Sequence, residues 1–118
     1  MATKFDLICE QGADLSFAVN YRRGATDIPV DITAGFARMQ ARASLNAPVP
    51  FLDIDSGIKG GIDIDGANGQ FRVFVSSSVT AIFAPTREAV YDLEFVDVSG
   101  GTSRVLEGRF RVSQRITR

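Results

Sequence analysis

The chain has 118 residues, with thirteen basic against fourteen acidic side chains for a net charge of -1, no histidine, no tryptophan and a single cysteine, Cys9. That length suits one domain, 1–118, with a core of its own, and the near balance of charge excludes a field strong enough to draw the protein onto nucleic acid or anionic lipid. Without histidine the commonest acid–base group and metal ligand is missing, and a lone cysteine excludes an internal disulfide, which fits folding in a reducing cytoplasm.

Taken in chain order, the opening MATKFDLICEQG lacks the charged head followed by an apolar stretch that a signal peptide needs. No later run approaches the ~20 apolar residues that span a bilayer, so no membrane association is expected. In DLSFAVNY, Leu15, Phe17, Val19 and Tyr21 share one face against Asp14, Ser16 and Asn20, the alternation of a half-buried strand. GFARMQARAS sets Ala37, Met39 and Ala41 inward and leaves Arg38, Gln40 and Arg42 on a polar face.

The segment FLDIDSGIKGGIDIDGANG reads as two strands joined by a hairpin, with Ile54, Ile62 and Ile64 inward and Asp53, Asp55, Asp63 and Asp65 toward solvent. A calcium loop beginning at Asp63 needs an oxygen ligand at its fifth position and a glutamate at its twelfth, where this chain has Ala67 and Phe74. No metal site is therefore expected. The same acids on exposed faces, in a chain without tryptophan to stack on a sugar, give no support to glycoside hydrolysis.

QFRVFVS aligns Phe71, Val73 and Val75. In SSSVTAIFAPT, Ser77 or Ser78 is placed to cap one helical turn containing Val79, Ile82 and Phe83, which Pro85 ends. The serines have no histidine to act as base and no glycine elbow around them, so no nucleophile is assigned. AVYDLEFVDV sets Tyr91, Leu93 and Phe95 inward and Asp92 and Glu94 outward. The last strand closes the sheet through Leu106, Phe110 and Val112, with Gly108 marking a bulge or the close approach of another backbone. Beyond Val112 the core alternation stops, and residues 113–118, SQRITR, read as a short basic assembly arm.

About seven strands, punctuated by turn clusters and broken by one short helical crossover, match a single immunoglobulin-like β-sandwich, an all-β fold. The arginines stand apart from that core. Arg38 and Arg42 form one row and Arg109 and Arg111 another, followed by Arg115, Ile116 and Arg118. Cross-strand pairing with Asp92, Glu94 or Glu107 accounts for some of them. The seven form the candidate interface, because arginine is enriched where proteins meet, whereas nucleic-acid binding would require interleaved exposed aromatics and a positive excess.

The order of segments, from DLSFAV through GFARMQAR and GGIDID to the crossover, Tyr91-Asp92-Leu93-Glu94, Glu107-Gly108 and the ending Ile116-Thr117-Arg118, resembles small structural proteins of tailed phages. It is similar in layout to the amino-terminal immunoglobulin-like domain of siphophage baseplate upper proteins, which continue into a helical and fibre region where this sequence stops. The resemblance implies a non-enzymatic virion protein without cofactor, folded in the host bacterial cytoplasm. It would be present in multiple copies, joining fibres or baseplate parts to the tail tube. A head decoration or head–tail connector role is the alternative within that class. A carbohydrate-binding module is the alternative outside it, with only Tyr21, Phe36 and Phe51 available as sugar-stacking rings.

Overall fold

The computed structural model describes residues 2–22, 28 and 30–117. Its strands are β1 (Thr3–Lys4), β2 (Leu7–Glu10), β3 (Leu15–Asn20), β4 (Phe36–Arg42), β5 (Leu52–Asp55), β6 (Ile62–Asp65), β7 (Gln70–Val75), β8 (Val90–Val96) and β9 (Thr102–Ser113). One four-residue helix, α1 (Ser77–Thr80), lies between β7 and β8. The larger sheet runs β1-β9-β8-β4-β5, with β2 also on β9, and the smaller runs β3-β7-β6. Among the described residues no helix is long and apolar enough to cross a membrane.

The alternation places the core as expected. Ala37, Met39, Ala41, Phe71, Val73, Val75, Tyr91, Leu93, Phe95, Leu106, Phe110 and Val112 are all buried between the sheets. Two aromatic groups fill that space. Tyr21, Phe71 and Phe95 form one, with Phe71 and Phe95 edge to face at 5.6 Å. Phe51, Phe83, Phe110 and Tyr91 form the other, with Phe51 5.1 Å from Phe83 and 5.7 Å from Phe110. Edge-to-face rings at these separations set the positive rim of one against the negative face of the next, adding to the burial of their area.

Several expectations are corrected. Two further strands, β1 and β2, precede β3, and both run parallel to β9. The segments around Ile54 and Ile62 do not form a hairpin: β5 pairs with β4 and β6 with β7, so the chain crosses between sheets through Ser56–Gly61. Asp55 is not a solvent-face carboxylate but is buried, and its Oδ1 accepts the N–H groups of Gly57 at 2.8 Å and Lys59 at 3.1 Å, which forms that crossing. Ile62 is buried, while Ile54 and Ile64 are half-buried against the core.

The helical turn is present, but its capping differs. Ser76, not Ser77 or Ser78, is the N-cap and makes no side-chain capping bond. Asp14 supplies the cap from the start of the neighbouring strand, accepting the Ser77 N–H at 2.7 Å. Thr80, fully buried, donates to the Ala13 carbonyl at 2.8 Å and accepts the Gly12 N–H at 3.1 Å. The crossover is thus anchored to the β2–β3 turn, which satisfies polar groups that would be expensive to bury alone.

Candidate functional site

The outer face of the larger sheet is built by register. Opposite Arg38 and Gln40 of β4 stand Glu94 and Asp92 of β8, and β8 in turn faces Arg104 and Glu107 of β9. Arg104 joins two acids, with Nη1 2.9 Å from Glu107 Oε1 and Nε 3.4 Å from Asp92 Oδ2. Arg42 is held by neutral acceptors, donating to the Ala47 carbonyl at 2.9 Å and to Gln40 Oε1 at 3.1 Å. Arg38, Arg42, Arg104 and Arg109 line a depression of about 620 Å³ on this face together with Asp92, Glu94 and Glu107.

Electrostatics there follow from crowding. Burial raises the Asp92 carboxyl above its usual range, Glu94 and Glu107 push it further, and Arg104 and Arg38 oppose them. Folding therefore penalises its ionised form, a penalty that disappears as pH falls through the folded pKa. Asp53 behaves oppositely. Its hydrogen bond from Lys59, at 2.5 Å, lowers its pKa, and burial works against that.

The other candidate residues lie elsewhere. Arg111, Arg115 and Ile116 line a separate groove of about 690 Å³ with Arg87, Pro85 and Thr86, and Arg118 lies outside the described residues. The segment expected to leave the domain begins inside it. Ser113 ends β9 and pairs with Glu10, and its carbonyl accepts the Gln11 N–H at 2.9 Å. Gln11 then ties three segments together, donating from Nε2 to the Phe83 carbonyl at 2.9 Å and accepting the Arg115 N–H on Oε1 at 3.0 Å. Arg115 folds over Gly12, whose φ of +83° and missing side chain leave room for the guanidinium. Ile116 is 91% exposed.

Arg104 is the residue of this surface that alternation misplaces. With Leu106, Gly108, Phe110 and Val112 directed inward, Arg104 has the same parity. An irregularity opposite Leu93 and Glu94 puts Val105 and Leu106 both in the core and returns Arg104 to the solvent face.

Other reactive groups are committed to structure. Burial, and secondarily Glu10, pushes the Cys9 thiol up to about 11, away from the thiolate needed for reaction at neutral pH. The Tyr91 hydroxyl, its pKa raised by burial and by Asp6, donates to the Phe5 carbonyl. Among the described residues no group of three or more cysteine, aspartate or glutamate side chains is arranged to hold a metal ion. Of the three rings considered for sugar stacking, Phe51 and Tyr21 belong to the interior aromatic groups and Phe36 is 40% exposed.

No family model matches the chain, and no curated protein does. In structure it matches 219 solved chains, a breadth that points to a widely used architecture and not to one activity. One is the NK cell receptor Nkp44, described as a triggering partner in natural cytotoxicity. It aligns with a TM-score of 0.58 at 13% sequence identity over 95% of this chain and 100% of that one. Two facing sheets with this strand order, superposing over nearly the whole length of both chains, make the protein an immunoglobulin-like β-sandwich.

Proposed function

We propose that the protein is a non-enzymatic structural component of a tailed-phage virion, a tail or baseplate subunit that joins a fibre or another baseplate part to the tail. The observation that carries this reading is the groove at the end of β9. Arg87, Arg111 and Arg115 line it together with the exposed Ile116, and among the described residues no carboxylate lies within ion-pair distance of the three guanidinium groups. Arg115 Nε donates to the Thr117 carbonyl, so the charges of the three are left without a counter-charge, and arginine of that kind beside an exposed aliphatic side chain is the composition of an interface. The segmental resemblance to tailed-phage structural proteins supplies the setting, in which many copies turn a weak contact into a firm one.

Truncation tests the reading. Because Ser113 belongs to β9, the informative deletion removes Ile116–Arg118 and is paired with Arg111→Glu in the full chain. Both variants should melt within about 0.5 kcal/mol of the parent, as expected for surface changes. Their recovery in assembled particles should fall by roughly tenfold, corresponding to the loss of about 1.4 kcal/mol of contact. Normal incorporation of both would contradict the assignment of this groove.

A further inference from the structure

Edge strands expose unpaired N–H and C=O groups, and proteins usually blunt them with charge, proline or a bulge. The other strands beside a free edge follow that rule: β1 carries Lys4, β2 Glu10, β5 Asp53 and Asp55, and β6 Asp63 and Asp65. The exception is β3. Its sequence LSFAVN has no charge and no proline, it pairs in unbroken register with β7, and among the described residues it has no neighbour on its other side. The first strands of the chain leave it bare because β1 and β2 both pair with β9.

The direction of the open groups follows from the ladder. Tyr21 donates its N–H to the Gly69 carbonyl at 2.7 Å, and Phe74 donates to the Gly61 carbonyl at 2.9 Å. Odd-numbered residues of β3 and β7 therefore bond to each other, since successive residues in an antiparallel strand point their polar groups to opposite sides. Ser16, Ala18 and Asn20 point theirs outward, and all three residues are exposed. On the inner face Phe17 and Val19 pack on the core but remain half-exposed at this edge.

We propose that this edge binds the same edge of a second copy, antiparallel, about a two-fold axis at Ala18. That register places Ser16 opposite Asn20 and Ala18 opposite Ala18, so every outward N–H and C=O of the three residues gains a partner. It also sets Phe17 of each copy opposite Val19 of the other on the inner face, covering apolar surface that the monomer leaves half-open. No charge opposes another at the contact. A shift by one residue would set inner faces against outer ones, and a shift by two would pair an outward residue of β3 with a position beyond the strand; the contact is isologous and closes at two copies. The two three-stranded sheets become one of six strands.

Position 18 tests this because it meets itself across the axis. Sedimentation velocity on the full chain should show a monomer–dimer equilibrium within concentrations up to ~1 mM, the weak end of specific association. Ala18→Lys and Ala18→Glu, each at an exposed site, should fold normally by circular dichroism and weaken self-association at least ~10-fold through like charges directly opposed. An equimolar mixture of the two variants should associate again. In the parent chain the amides of Ser16, Ala18 and Asn20 should gain hydrogen-exchange protection as concentration rises. A parent that stays monomeric to that limit would overturn the proposal. So would lysine and glutamate variants that dimerise like the parent, or dimers in which these amides stay unprotected.

Discussion

Replacing Gly108 by valine is expected to lower the stability of the domain by about 2–5 kcal/mol, combining the strain of overpacking with the loss of a buried hydrogen bond. Any Cβ at Gly108 would run into the Phe5 carbonyl oxygen and approach Asp6 Oδ1 to 2.9 Å. These are the atoms that fasten the N-terminal strands to β9. The Phe5 N–H donates to the Glu107 carbonyl at 2.8 Å, the Phe5 carbonyl accepts the Tyr91 hydroxyl, and Asp6 Oδ1 accepts the Arg109 N–H at 3.0 Å. Making room for a side chain displaces Phe5 and leaves the hydroxyl of Tyr91, a residue only 4% exposed, without its acceptor. Urea unfolding with an unchanged slope and a lower midpoint would show the effect; a loss under about 1 kcal/mol would mean that the β1–β2 segment yields easily.

Phe110→Ala should be comparably severe, at about 3–5 kcal/mol. Phe110 is fully buried and meets three rings, Phe51 at 5.7 Å, Tyr91 at 6.1 Å and Phe83 at 6.3 Å. Those rings belong to the segment before β5, to β8 and to the crossover after α1. One deletion therefore opens a cavity where three parts of the chain converge, and little of it can close by local movement. Ile116→Ala provides the contrast: at 91% exposure its change should stay within about 0.5 kcal/mol. Equal losses from the two variants would contradict the packing described here.

The strand faces were legible because alternation reports burial directly. Ala37, Met39 and Ala41, or Tyr91, Leu93 and Phe95, have only one side on which to hide. What alternation cannot report is the neighbour. The run from Ile54 to Ile64 has the same pattern whether its halves form a hairpin or enter opposite sheets. The choice is made by Asp55, which turns inward to hold Gly57 and Lys59. β1 and β2 escaped notice because they are short and only Leu7 and Cys9 of β2 face the core. The reading of Gly108 as a point of close backbone approach agrees with the contact that Phe5 makes. The candidate arginines illustrate both sides of the problem. Their exposure followed from charge, yet their division into two surfaces, and the place of Arg104 between Asp92 and Glu107, depended on register and on the displacement at Val105.

The proposed role places the protein in the tail of a phage particle. The most direct measurement is a density map of purified phage particles from the source of this sequence, with the sandwich fitted as a rigid body. Multiple symmetric copies are expected at the tail or baseplate, with Arg87, Arg111, Arg115 and Ile116 against a neighbouring subunit. Particles that are complete and infectious without the chain, or that carry it on the head with this groove open to solvent, would contradict it.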